Sequence, residues 1–261
     1  MQRDKDSYQV LGVDISASSK GDFFQTIERR LQDNSPKTPP LFIVTVNPEI
    51  VVQTIIDNDF KNILSQSSFN TADGVGISWA VKFLYGQQVE RITGSDSMEE
   101  LCRLSARNGQ SVFLYGALPE VARKAAQKLT LRIDNLNIAG IYSPKSPEEH
   151  IDHLPTDIRQ NLQSASVIFV ALGAPAQEKW IYNNIHKLPS CKVIIGIGGS
   201  FDFIAGQVKR APSVMRKTGL EWVYRLYQQP TRYRRMLKLP LFALNVILLK
   251  SITNHQKSGV S

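Results

Sequence analysis

Four short runs of the chain are almost continuously apolar and rich in β-branched or aromatic residues: 42–46, 111–115, 167–171 and 193–197. A strand without polar alternation must be covered on both faces, which a parallel sheet between two layers of helices provides. The intervening segments supply those helices. Stretches 96–108, 119–129, 147–163 and 177–187 are amphipathic and of helical length, and many such stretches open on proline or a capping residue. The alternation implies an α/β fold with a mostly parallel sheet flanked by helices. Beyond about Ala211 the strand-like runs cease and Arg-, Tyr- and Leu-rich sequence takes over. Residues 1–212 therefore read as an α/β catalytic domain and 213–261 as a C-terminal helical appendage.

With 261 residues and 42% hydrophobic content, the chain can bury a substantial core. Its net charge of +8 favours a polyanionic partner, whether a phosphate-rich ligand, nucleic acid or an anionic membrane. The two cysteines, Cys102 and Cys191, exclude a disulfide framework or a multi-cysteine zinc site and fit a reducing compartment. Residues 1–6 are polar and carry no secretory signal, so a cytosolic chain is expected. The longest apolar stretch, 239–249, is interrupted by Asn245 and falls short of the ~20 residues that span a bilayer. It could still lie on one.

Ligands of open parallel sheets collect at the carboxyl ends of the strands, where loops converge and helix N-termini offer unpaired N–H groups to anions. Informative residues should therefore follow the apolar runs, and they do. Thr45-Val46-Asn47-Pro48-Glu49 follows the first, Gly116 the second, Gly173 through Glu178 the third, and Gly196 through Asp202 the fourth. Gly198 and Gly199 would let backbone approach a ligand closely, and Asp202 could bind the hydroxyls or base of a nucleoside; a tight strand-to-helix turn is the ordinary alternative. Asp73, in Asn70-Thr71-Ala72-Asp73-Gly74-Val75-Gly76, could face a cleft as a base or cap the next helix. Arg91 could reach a phosphate while Asp96 caps. In the tail, Arg225, Arg232, Arg234 and Arg235 are interleaved with Trp222, Tyr224, Tyr227 and Tyr233, a pattern suited to diphosphate or to nucleic acid. Asp57-Asn58-Asp59 formally matches an Asp-x-Asp metal motif but ends a helix-like stretch, 48–58, and His150 and His153 lack a third ligand. No metal is assigned.

Taken in order, these segments resemble the WecG/TagA/CpsF family of bacterial glycosyltransferases, glycosyltransferase family 26. The resemblance runs from Thr45–Glu49 through 72–76, 91–96, 114–116, 173–180 and 196–206 to Arg210-Ala211-Pro212 and 220–226, and covers roughly Val10 to Arg235. It implies a Rossmann-like sheet and inverting transfer of N-acetylmannosamine, or a related hexose or uronic acid, from a UDP-sugar to a polyprenyl-diphosphate-linked saccharide during synthesis of cell-surface polysaccharide. By that resemblance Asp73 matches the catalytic base and Thr45 a neighbouring active-site residue. Asn47, Arg91, Gln177, Gly198, Gly199 and Asp202 match positions that hold the nucleotide sugar, and Arg225, Arg232 and Arg235 the tail arginines. No cofactor is required beyond the UDP-sugar as co-substrate. Val46, Val214 and Gln229 stand where proline, an aromatic residue and glutamate are common in the family, and none removes a catalytic group.

Leu237, Leu241, Leu244 and Leu248 recur at helical spacing beside a basic segment, as expected for an interfacial helix on the inner face of the cytoplasmic membrane. A core-packing helix would have the same spacing. The expected location is cytoplasmic and peripheral to that membrane, with no nucleic-acid partner and with a homo-oligomer left open. Two other classes compete on composition and pattern: a nucleotide-dependent oxidoreductase or methyltransferase on a Rossmann-like sheet, and a basic nucleic-acid-binding protein.

Overall fold

The computed structural model describes residues 6–35, 38–212, 214–215, 220–230 and 233–258, with the side chains of 234 and 253–258 left undescribed. The chain opens with an antiparallel hairpin, β1 (Ser7–Val10) and β2 (Val13–Ser16), followed by α1 (Lys20–Gln32). Six further strands form one parallel sheet: β3 (Leu41–Val46), β4 (Phe69–Ala72), β5 (Ser111–Gly116), β6 (Asn137–Tyr142), β7 (Val167–Ala171) and β8 (Val193–Gly196). Their spatial order is β4-β3-β8-β7-β5-β6, and every pairing within the sheet is parallel.

The four apolar runs of the sequence are the four inner strands, and burial explains why they were legible. Every residue of β3, β7 and β8 is buried. β4 and β6 sit at the edges. β4 is only four residues long and carries Asn70 and Thr71, while β6 is half exposed and contains Gly140, so neither shows a continuous apolar run.

Helices α2 (Pro48–Ile56), α3 (Asn58–Ser65), α4 (Val75–Tyr85), α7 (Thr156–Ser164) and α8 (Ala176–Asn184) cover one face. The other is covered by α1, α5 (Gly94–Arg107), α6 (Pro119–Arg132) and α9 (Ser200–Ala205). The stretch 147–163 is not one helix. Pro155 lacks the N–H that an interior turn requires, so a 3₁₀ turn at Ile151–His153 precedes α7. The stretch 48–58 also breaks, because Asp57 leaves helical geometry and its side chain accepts from Phe60 N as the N-cap of α3. Asp57 also pairs with Lys179 Nζ at 2.8 Å, which accounts structurally for the Asp-x-Asp match.

The tail folds into α10 (Glu221–Gln228), α11 (Tyr233–Met236) and α12 (Lys238–Ser258). α12 packs on α2 and α4, and its Phe242 and Val246 are buried in the core cluster of that face. Its Leu241, Leu244 and Leu248 point the other way and are exposed. Among the described residues no helix is long and apolar enough to cross a membrane.

Candidate active site

β3 and β8 are neighbours, yet the chain leaves β3 toward α2 on one face and leaves β8 toward α9 on the other. Such a divergence opens a crevice beyond the carboxyl ends of the two strands. A cavity of about 160 Å³ occupies that position, lined by Thr45, Asn47, Asp73, Gln177, Gly198, Gly199, Arg225 and Arg235 among others.

Local sequence sets each wall. The buried Thr45 hydroxyl donates to Gly196 O at 3.0 Å and ties the ends of the two diverging strands together. Asn47 caps α2, its Oδ1 accepting from Ile50 N at 3.0 Å, so any hydrogen bond it donates to a ligand comes from its amide NH₂. Gln177 Oε1 accepts from Gly198 N at 3.0 Å. Glycine at 199 leaves room for the Arg225 guanidinium, whose end a β-carbon there would displace.

Asp73 follows β4, its backbone N–H donating to Val46 O at 2.7 Å. It does not cap α4, whose N-cap is Gly74 at φ +91° with no side-chain hydrogen bond. Its carboxylate instead receives the Gly94 N–H from the first turn of α5. Burial, and secondarily the charge of Glu221, raise its pKa to about 7, against the opposing pull of Arg225 and the Gly94 N–H. A carboxyl poised near neutrality in a cleft suits a general base.

Arg225 reaches in from α10. Its guanidinium lies over the Phe203 ring at 4.6 Å, and its buried Nε and Nη2 have no hydrogen-bond partner among the described residues. Burial and the nearby Arg235 lower its pKa, while Asp202, Asp73 and Glu221 oppose that shift. A guanidinium with two unmet donors in a cleft is a ready site for an oxyanion. Arg235 Nε donates to Glu49 Oε2 at 2.6 Å, fastening the tail to α2.

Not every candidate converges. Asp202 stands behind Gly199 beside Arg225 and is not on the cavity wall. Arg91 forms a single parallel bridge with Ala72 on the outer side of β4 and does not line the cavity. Arg232 lies outside the described residues. The cavity also contains groups that sequence reasoning assigned no role: Glu49, Glu221 and Arg210, the last paired with Asp96 at 2.8 Å. Each lay within a motif already singled out, but nothing local distinguishes a cleft-facing charge from a solvated one.

On the other side of Asp73 lies a second cavity of about 340 Å³ with mostly apolar walls, including Trp79, Trp222, Met236, Leu239 and Phe242. Asn47, Glu49, Asp73, Glu221 and Arg225 border both cavities. Three carboxylates, those of Glu49, Asp73 and Glu221, thus stand at the junction of a polar, cationic chamber and an apolar one; Glu49 is paired with Arg235, and Asp73 is held at the end of β4. Among the described residues no three His, Cys, Asp or Glu side chains converge as a metal site.

Comparison with known proteins shows the family of the chain. The family described as "Glycosyl transferase WecG/TagA/CpsF family" matches residues 8–257. An N-acetylglucosaminyldiphosphoundecaprenol N-acetyl-beta-D-mannosaminyltransferase of Bacillus subtilis (strain 168) is 40% identical over 207 residues, 78% of each chain. A protein of the same name from Staphylococcus aureus (strain MRSA252) is 33% identical over 242 residues, 92% of each chain.

Proposed function

The chain belongs to the WecG/TagA/CpsF family of glycosyltransferases, and from that premise we propose which sugar it moves and how its residues divide the work. The donor is UDP-N-acetylmannosamine and the acceptor an N-acetylglucosamine carried on a polyprenyl diphosphate, as the names of the two relatives suggest. This reading displaces the oxidoreductase, methyltransferase and nucleic-acid alternatives.

The observation that carries the proposal is the position of Asp73 between the two cavities. The UDP-sugar occupies the polar chamber, its diphosphate on Arg225 and Arg235, while the Gly198-Gly199 turn, Gln177 and Asn47 hold the nucleotide sugar; Thr45 fixes the strand ends beneath it. Asp202 acts through Arg225, and Arg91 and Arg232 are assigned supporting roles toward donor and diphosphate. The acceptor sugar enters from the apolar side, so its hydroxyl meets Asp73 opposite the departing UDP. Inversion needs one in-line displacement: the hydroxyl oxygen bonds to the anomeric carbon, the bond from that carbon to the diphosphate breaks, and Asp73 takes the proton. The leaving diphosphate gains negative charge where the arginines stand, so electrostatic stabilisation needs no metal in this scheme.

The tail supplies the cations, which is why residues 213–261 are proposed as a functional unit apart from the α/β body. Exposed Leu237, Leu241, Leu244 and Leu248, beside the exposed Trp79–Phe83 stack on α4, form the face that rests on the inner leaflet of the cytoplasmic membrane, where the lipid-linked acceptor lies. Co-sedimentation with anionic vesicles should weaken when Leu241, Leu244 and Leu248 are changed to lysine; unaltered binding would remove this part.

The deciding assay incubates a panel of UDP-sugars with a polyprenyl-diphosphate-N-acetylglucosamine analogue. Wild-type protein should transfer N-acetylmannosamine, and Asp73→Asn should lose ~10²–10⁴-fold in kcat while binding the donor normally. Transfer by Asp73→Asn at the wild-type rate would refute the assignment of the base.

A further inference from the structure

Glu178 has no part in the scheme above, yet it is the one acidic residue fully buried among the described residues, at 0% exposure. No basic side chain pairs with it there. Its Oε1 accepts from Gln177 Nε2 at 2.7 Å, and its Oε2 has no partner. A buried carboxyl with an orphan oxygen destabilises a fold relative to an apolar side chain of similar size, so stability does not account for it.

Its connection to the cleft does. A glutamine amide is nearly symmetric in shape and can present either its oxygen or its NH₂ to a neighbour. The Glu178 oxygen accepts only from the NH₂ of Gln177, and this leaves the Gln177 oxygen to take the Gly198 N–H at 3.0 Å. The two contacts demand the same orientation. Gly198, held at φ +50°, is thereby tied through Gln177 to the first turn of α8. Gly196 gives the arrangement its space: a β-carbon there would stand 2.7 Å from Gln177 Nε2 and 3.1 Å from Glu178 Oε1. Burial, partly offset by the Gln177 hydrogen bond, raises the Glu178 pKa to about 7.

We propose that Glu178 is a positioning residue for the nucleotide sugar, fixing Gln177 so that Gln177 in turn fixes the Gly198-Gly199 turn on which the donor rests. The inference depends on reading the polar cavity as the donor site. Glu178 touches no substrate itself and acts through an acceptor oxygen, not through its charge.

Steady-state kinetics of the full chain with UDP-N-acetylmannosamine and the acceptor analogue test this. Glu178→Met, similar in length but unable to accept strongly, should raise the donor KM ~10-fold with the acceptor KM unmoved and thermal stability kept or increased. Glu178→Gln, which retains an acceptor oxygen, should bring the donor KM back to within ~3-fold of wild type. In combination with Gln177→Ala, Glu178→Met should add nothing to the effect of Gln177→Ala alone.

The proposal is overturned by a wild-type donor KM in Glu178→Met, by donor and acceptor KM rising together, or by effects that multiply in the double variant. Should Glu178→Met fail to fold, the Gln variant decides, since a ~10-fold rise in its donor KM would mean that charge, not acceptance, is required. Wild-type protein inactive on every UDP-sugar would bring down the functional reading and this inference together; an active wild type with kinetically silent variants would bring down the inference alone.

Discussion

Helix α8 borders two polar regions that are built in opposite ways. At its C-terminal half, Trp180 Nε1 donates to Glu149 O at 2.9 Å, Tyr142 OH donates to Glu149 Oε1 at 3.0 Å, and Lys145 N donates to Glu149 Oε2 at 2.9 Å. Asn184 uses both ends of its amide, accepting from Ile151 N and donating to Trp180 O. That region is closed. At the N-terminal half, the cleft leaves Arg225 Nε and Nη2 and Glu178 Oε2 without partners among the described residues, and holds Asp73 far from its ordinary protonation range. Native proteins satisfy nearly all their buried polar groups, so these exceptions call for an explanation: an anionic ligand provides one for the two Arg225 donors, and the positioning of Gln177 provides one for Glu178.

The contrast can be attacked from either side. The largest effect is expected from Arg225→Met, which removes the unmet donors without breaking any hydrogen bond of those nitrogens. The transfer rate should fall ~10²–10³-fold with the fold intact by circular dichroism. A variant that unfolds instead would mean that Arg225 is structural, like its counterparts at the other end of α8.

A smaller effect concerns stability. The folded state holds the Asp73 proton up to about pH 7, whereas the unfolded chain releases it near the ordinary aspartate value of 3.8. Between those values the folded state binds more protons, so this residue's contribution to stability declines as pH rises and is lowest above about 7. Asp73→Asn should therefore gain on wild type in thermal denaturation as pH rises through that window, by ~2–4 °C above neutrality. An advantage that shrinks with rising pH would contradict the burial of a charge there.

The smallest effect belongs to the closed region. Tyr142→Phe removes one hydrogen bond to Glu149 and should cost about 1 kcal/mol in denaturant unfolding, with kcat and both KM values unchanged. A kinetic defect would show that the two ends of α8 are not separable.

The sequence made the inner sheet plain because β3, β7 and β8 are buried throughout and carry no polar alternation to confuse the pattern. It concealed β4, which is short and carries Asn70 and Thr71, β6, which is partly exposed, and the β1–β2 hairpin, whose strands are both short and partly exposed. In the site, Asn47, Gln177, Gly198 and Gly199 were legible because they follow apolar runs at the sheet's carboxyl end, Thr45 because it closes the first such run, and Asp73 because it sits in a polar, glycine-bearing turn. Glu221 was not, since its significance comes from its nearness to Asp73 across 148 positions that no spacing rule links; the burial of Glu178 likewise emerges only when α8 is laid against the end of β8. Leu241, Leu244 and Leu248 had a spacing equally suited to a core or a membrane face. Phe242 and Val246 occupy the core side of α12, and the leucines are left outside.

The central claim is that Asp73 must be ionised to take the acceptor's proton, so the pH dependence of kcat/KM examines it most directly. With a pKa of about 7, log kcat/KM should climb with unit slope through the acidic range and level off above neutrality. A profile flat from about pH 5.5 to 8.5, or one that falls as pH rises across neutrality, would contradict it.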